Sequence, residues 1–197
     1  MIALRTERLH LDAPRESDID AVLDACQDAQ TRRWVPLPDP YTRKDAEFFV
    51  RDYVPHGEAS GRFTVWAVRI DEHPLLGIVE VRRDEAAGSA SVGCWLAPSA
   101  RGHGYMHEAS ERILGYALDP AGLGFSRLRW ESLEGNEASM RLALGLGFEF
   151  DAASAHDIDF RGESRRAVFG FRHRPGEPGA EPPTAQETVV LPAAEGS

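Results

Sequence analysis

The sequence predicts a mixed α/β domain, one central sheet with helices on its faces. Three observations predict it. Short runs rich in β-branched and aromatic residues recur along the chain, amphipathic stretches of helical period alternate with them, and Gly or Pro punctuates the junctions. A chain of 197 residues, 42% hydrophobic and 27% charged, has room for one sizeable core.

Arg8–Ala13 alternates Leu9 and Leu11 with polar neighbours and predicts a first strand. Ser17 is placed to cap a helix carrying Ile19, Val22, Leu23 and Cys26 on one face. "WVPLPDPYT" (Trp34–Thr42) has three prolines and is read as irregular. Thr42 opens a second helix that buries Ala46, Phe49, Val50 and Tyr53. Three strands follow, over Arg62–Ile70, Leu75–Val81 and Ser89–Ala97. A glycine loop then leads into a helix striped by Met106, Ala109, Ile113 and Tyr116 and ended by Asp119-Pro120. Arg127–Ser132 is a strand. Asn136 opens a last helix through Leu146, with Gly147 as its left-handed C-terminal cap. Two closing strands are expected around Ile158–Phe160 and Ala167–Arg172.

A boundary is expected at Arg174. Residues 1–174 form the domain, and 175–197, rich in Pro, Gly, Ala and Glu, form a flexible tail containing the apolar island "TVVLP". The two cysteines, Cys26 and Cys94, are far apart, which excludes a disulfide scaffold and a thiolate zinc site; both are expected as small buried hydrophobes. A net charge of −10 argues against a nucleic-acid partner and suits a cationic acceptor such as an amine. No run is long enough to span a membrane, and no signal-peptide core is present, so a cytoplasmic location is expected.

The chemistry is concentrated in "SARGHGYMHEAS" (Ser99–Ser110). Strand, Gly-x-Gly loop and helix together make an anion site, because the first helical N–H groups lack partners and glycines admit close approach. Arg101 is expected to add a full positive charge there. A Rossmann site requires a third glycine where His107 stands, and no Gly-Lys-Ser/Thr run exists for a P-loop. Coenzyme A pyrophosphate is the remaining candidate. His103 and His107 are four residues apart, but no third ligand is apparent and His103 falls inside the glycine loop, so no metal site is expected.

"CWLAPSARGHGYMHEASERIL" resembles the acyl-CoA motif of the GNAT N-acetyltransferases, R/Q-x-x-G-x-G/A following a strand. More narrowly it is similar to the RimJ/RimL-like branch, ribosomal-protein N-terminal acetyltransferases, through Trp95, Leu96, Pro98, Arg101, Gly102, Gly104, Tyr105, Glu108 and Ala109. "GNEASMRLALGLGF" (Gly135–Phe148) is similar to the family's N-x-x-S…GF segment, and "WVPLPDPYT" to the Pro-rich loop beside that branch's acceptor pocket. Ser99 and Cys94 depart from the usual residues, and the segment after Phe148 matches the branch poorly.

The resemblance implies a GNAT fold, a mostly antiparallel splayed sheet with helices on both faces. It implies acetyl-CoA as co-substrate, an amine acceptor on a peptide or small molecule, and a homodimer. Trp95, Leu96, Arg101, Gly102, His103, Gly104, Tyr105 and Met106 would hold the coenzyme, with Asn136 and Ser139. The pantetheine arm would lie between Ser91–Ala97 and Leu128–Ser132, a backbone N–H of the first strand polarising the thioester carbonyl. Asn136 would orient pantetheine or a water, and Ser139 would donate a proton to the departing sulfur; Asn136 is also a good helix cap in its own right. Glu80 and Glu131 are the carboxylates nearest the expected cleft, either able to serve as base. A non-catalytic acyl-CoA sensor, or a transferase using another donor such as succinyl-CoA, would satisfy the same motifs.

Overall fold

The computed structural model describes residues 1–71 and 73–176. The expected tail therefore lies outside the described residues except for Pro175 and Gly176. Nine strands form one sheet: β1 (Leu4–Arg5), β2 (His10–Asp12), β3 (Phe63–Arg69), β4 (Gly77–Arg83), β5 (Ser89–Leu96), β6 (Arg127–Leu133), β7 (Glu149–Phe150), β8 (His156–Phe160) and β9 (Glu163–His173). The order is β1-β2-β3-β4-β5-β6-β9-β7, with β8 paired to β9. The ladder is antiparallel except between β5 and β6, which run parallel. The helices are α1 (Ile19–Gln27), α2 (Ala29–Trp34), α3 (Arg43–Phe48), α4 (Val54–Ser60), α5 (Tyr105–Leu118) and α6 (Glu137–Gly145). No described helix is long and apolar enough to cross a membrane.

Alternation along the strands separates two cores. Trp66 and Val68 of β3, Val79 and Val81 of β4, and Leu128 and Trp130 of β6 pack with α5 and α6. Val65, Ala67, Ile78 and Trp95 face the opposite way, onto α1 and α3. The predicted stripes face the cores: Ala46, Phe49, Val50 and Tyr53 are buried in one layer, Met106, Ala109 and Ile113 in the other, with Tyr116 half-buried beside them. Each of the larger side chains removed from water contributes about 2 kcal/mol.

Several elements are absent from the sequence reading, each for a local reason. α2 has six residues, too few to show a period, and is fixed by Asp28, whose Oδ2 accepts the Thr31 N–H at 3.0 Å. The helix opened by Thr42 continues to Ser60 through a π-helical stretch, Phe49–Tyr53. That stretch precedes Pro55, which has no N–H for a regular helix and crowds the preceding turn. β1 and β7 are two-residue strands with no pattern to read. β9 is long, eleven residues, because β6 covers one of its edges and β7 and β8 the other. β8 and β9 are joined by Arg161 and Gly162 at φ 58 and 81, a two-residue turn of the kind that matches strand twist. Gly147 is left-handed at φ 78, as predicted for a cap.

A buried ion pair ties the two layers. Arg69 donates to Asp18 Oδ1 at 2.7 Å and Oδ2 at 2.8 Å, and to Asp12 Oδ1 at 2.7 Å. Asp18 also accepts the Arg15 and Leu75 N–H groups. Burial alone would raise the Asp18 carboxyl, but Arg69 and these N–H groups outweigh it and hold it below the ordinary value of 3.8. The ionised form is thus favoured by folding. Its contribution is whole above that ordinary value and lost as pH falls through the depressed folded one. Asp18→Asn should therefore destabilise the protein by about 3 kcal/mol at neutral pH, since it strands a buried guanidinium. Denaturant titrations should show the gap to wild type closing as pH drops below 3.8; a gap independent of pH would refute this assignment.

Candidate active site

The site is a break in the sheet. β5 pairs with β6 from Ser89↔Arg127 to Val92↔Trp130 and no further. Beyond that point Gly93–Leu96 stays on β4, and Glu131–Leu133 stays on β9. Between the diverging ends lies a cleft of about 640 Å³. The antiparallel ladder alternates, and Ala97 N–H donates to Leu76 C=O at 2.7 Å, so the main-chain groups of Gly93 and Trp95 face β4. Those of Cys94 and Leu96 consequently face the opening. The freed Leu96 carbonyl is taken up by Arg101 Nε at 3.1 Å, which leaves the Cys94 and Leu96 N–H groups turned toward the cleft.

At one end of the cleft is the glycine loop. Gly102 and Gly104 have φ of 80° and 78°, a region other residues avoid. Gly104 caps α5, whose fourteen residues begin at Tyr105, so its first N–H groups have no partner within the helix. A Cβ on Gly104 would lie 3.6 Å from Arg8 Nη2. Gly102, Gly104, Tyr105 and Met106 line the cleft. The donors and the glycines fit a diphosphate.

Two loop expectations are redirected by the geometry. Arg101 lines the cleft, but its guanidinium turns back to α2, with Nη2 2.6 Å from Asp28 Oδ2 and 3.0 Å from Thr31 Oγ1. Burial pushes the Asp28 carboxyl up, and Arg101 with the Thr31 N–H more than offsets this, holding it below its ordinary value. Arg101 thus pins α2 to the open end of β5. Beside the loop is a second cation, Arg8, which no local pattern singles out and which pairs with Glu108. Arg8 Nη1 donates to His103 C=O at 3.2 Å, its Nε donates to Glu108 at 2.7 Å, and its guanidinium lies over the Tyr105 ring. The His103 side chain is exposed and stacks on Tyr105 outside the cleft. His107 Nε2 lies 3.2 Å from Gly145 C=O. Among the described residues no cluster of three or more His, Cys, Asp or Glu could hold a metal.

Trp95, Leu96, Glu80, Glu131, Asn136 and Ser139 all line the same cleft. Asn136 caps α6, accepting the Ser139 N–H at 3.2 Å with its Oδ1, so the capping role is real and only its amide NH₂ remains for a ligand. Trp130 Nε1 donates to Ser139 Oγ at 2.9 Å. An indole N–H can only donate, so the Ser139 hydroxyl proton points elsewhere. Cys94 also lines the cleft, its thiol pushed up to about 12 by burial and therefore inert.

The two carboxylates differ. Glu80 is occupied on both oxygens: Tyr53 OH donates to Oε2 at 2.9 Å and Arg82 Nε to Oε1 at 3.0 Å. Burial raises its carboxyl despite Arg82. Glu131 Oε2 is buried without a hydrogen-bond partner, 3.4 Å from His156 Nε2 and 3.5 Å from Arg129 Nη1. His156 Nδ1 lies 2.8 Å from Ser154 C=O, which only accepts; that assigns its proton to Nδ1. Nε2 is then the ring nitrogen that faces Glu131. Sequence reasoning missed His156 and Tyr53, which β8 and the π-helical stretch bring to the site from afar, and Arg82, which lies two residues from Glu80 on β4.

A family model, the acetyltransferase (GNAT) domain, matches residues 8–149. The chain belongs to the GNAT acetyltransferase family. None of the curated proteins matches it. Solved structures of similar fold include RimL, a ribosomal-protein alpha-N acetyltransferase, in complex with coenzyme A, at 15% identity over 89% of this chain and 100% of that one, TM-score 0.75. They include the ribosomal-protein alanine acetyltransferase from Vibrio fischeri, at 15% identity over 90% and 100%, TM-score 0.74. The microcin self-immunity acetyltransferase MccE, in complex with acetyl-CoA and AMP, is 15% identical over 85% and 93%, TM-score 0.72. The splayed, mostly antiparallel sheet expected of a GNAT protein is the sheet observed.

If the loop cradles the coenzyme, Gly104→Val should abolish acetyl-CoA binding in calorimetry while the circular dichroism of the fold persists. A Cβ in the left-handed region costs about 1–2 kcal/mol and closes the backbone to phosphate. Gly104→Ala should weaken binding less. Unchanged affinity in the folded valine variant would take the coenzyme away from this loop.

Proposed function

We infer that the protein transfers an acetyl group from acetyl-CoA to a primary amine, on a peptide N-terminus or a small molecule. One observation carries this reading. Trp130 and Glu131 are neighbours on β6 and so project to opposite faces of the sheet at the break. Ser139, held by Trp130, stands on one side of the opening and Glu131 on the other. That arrangement serves thioester aminolysis, with a base where the amine enters and an acid where the thiol leaves.

An alkyl ammonium titrates near pH 10, so it must lose a proton before it attacks. Glu131 takes that proton, and His156 Nε2, beside its buried Oε2, can relay it. Glu80, already committed to Arg82 and Tyr53, shapes the wall instead. The amine nitrogen bonds to the acyl carbon, and a Cys94 or Leu96 N–H stabilises the oxyanion. The C–S bond then breaks, and its electron pair stays on sulfur, which takes the Ser139 proton. The second proton of the attacking nitrogen replaces the one Ser139 gave up. The Trp130 N–H holds the Ser139 oxygen in place throughout. The same reading carries a cytoplasmic homodimer, for which sedimentation at twice the chain mass is the test.

Ser139→Ala should lower kcat on the order of a hundredfold with acetyl-CoA affinity nearly unchanged. Thiol release at saturating acetyl-CoA measures it. An unchanged kcat would reduce Ser139 to a residue of the helix start. Glu131→Gln should lower kcat/KM by roughly a hundredfold or more, and Glu80→Gln by clearly less. The reverse ranking would make Glu80 the base. No thiol release from wild type with any amine would favour a non-catalytic acyl-CoA sensor.

A further inference from the structure

The acceptor end of the cleft has an apolar wall and a cationic rim. In the β8–β9 hairpin, directly opposed residues share a face: Ile158 with Arg165, His156 with Ala167, and Phe160 with Glu163. Ile158, Phe160 and Ala167 pack with Leu133 and Trp34 on this face. Arg165 therefore projects from the wall itself. It is half-buried, with its guanidinium carbon 5.4 Å from the Phe160 ring centroid and 6.0 Å from that of Trp34. From α2, Arg33 lies over the same Trp34 ring at 4.7 Å. Trp34 and Phe160 both line the cleft.

What separates these two arginines from their neighbours is their lack of a counter-ion. Arg32 and Arg161 share Asp39. Arg166, on the outer face of the hairpin, pairs with Asp157. Arg33 and Arg165 have neither an ion pair nor a hydrogen bond among the described residues. The chain has 32 Asp and Glu against 22 Lys and Arg, so a shortage of acids does not explain this. Both guanidiniums rest on aromatic faces, which orients them and leaves their N–H edges for a ligand. The cleft is thus dipolar, with Glu131 inside and two free guanidiniums at its mouth.

Resting on the acetyl-transfer reading above, we propose that the acceptor is a primary amine carrying a carboxylate or phosphate several bonds from the nitrogen, bound by Arg165 and Arg33 beside Trp34. The ammonium end goes to Glu131 and the anionic end to the rim. A planar guanidinium takes a carboxylate or phosphate through two parallel hydrogen bonds, and a partly desolvated site strengthens both. An acidic peptide N-terminus and a phosphorylated small amine present the same chemistry.

The experiment uses the full chain, saturating acetyl-CoA and two matched acceptor pairs. One pair is a free-amine peptide with Asp and Glu at its second and third positions and the corresponding Asn/Gln peptide. The other is O-phosphoethanolamine and ethanolamine. The anionic member of at least one pair should be used with kcat/KM roughly tenfold above its neutral counterpart, mainly through KM, and added salt should shrink that ratio. Arg165→Gln should bring the ratio toward one, and Arg165→Lys should keep part of it. Arg33→Gln, on an exposed helix position, tests the same point independently of hairpin folding. A response confined to the peptide pair names an acidic N-terminus, and one confined to the other pair names a phosphorylated small amine. Ratios of one in both pairs, or ratios untouched by both arginine variants, overturn the proposal while leaving acetyl transfer standing. Absence of thiol release with every amine overturns both.

Discussion

The register of β5 against β6 ends at Val92 and Trp130, and the rest of the molecule is arranged around that break. Main-chain N–H and C=O groups released from a ladder are costly unless something else binds them. Here one is bound internally, the Leu96 carbonyl by Arg101. The N–H groups of Cys94 and Leu96 are left for a ligand. The break therefore supplies space and oriented donors together. It lies in the middle of a nine-stranded sheet, so both flanks are rigid and the donors are fixed before any substrate arrives.

Keeping the break open requires the two halves of the sheet to be held apart and in register. On one side Arg101 links Leu96 to Asp28 and Thr31 at the start of α2. On the other, β9 runs along β6 and brings β8 over the opening. Arg161 sits at the tip of that hairpin in a left-handed conformation that costs a side-chain-bearing residue free energy. Its guanidinium donates to Arg32 C=O at 2.8 Å and pairs with Asp39. The hairpin is thereby fastened to α2 across the cleft. Far below, Arg69 and Asp18 lock β3 to the first helical layer, so the platform under the cleft does not shift.

The electrostatics follow the same division. Although the chain is acidic, its arginines are spent locally: Arg8 on the glycine loop, Arg101 on α2, Arg82 on Glu80, Arg129 near Glu131. Each fixes a wall of the cleft instead of adding to a diffuse field. Arg33 and Arg165, on aromatic rings lining the cleft, have no such partner among the described residues.

Much of this was determined by the sequence alone. Alternation gave β3 to β6, helical period gave α1, α3 and α5, and two glycines in a strand–loop–helix context marked the anion site, because these signals are local and of short period. Asn136, Ser139, Glu80 and Glu131 could be named for the same reason, each lying next to a readable element. Tertiary structure alone decided what those side chains do. Arg101 looks like a phosphate ligand from its position beside Gly102, yet it turns toward Asp28, seventy-three residues away in the chain. Glu80 and Glu131 are equivalent on paper, and only Tyr53 from the π-helical stretch and His156 from the β8–β9 hairpin, with the orientation Arg82 takes up, give one two hydrogen bonds and leave the other with none. Burial and long-range partners set the direction in which a polar group points and whether it is satisfied. Neither is encoded in any window of neighbouring residues.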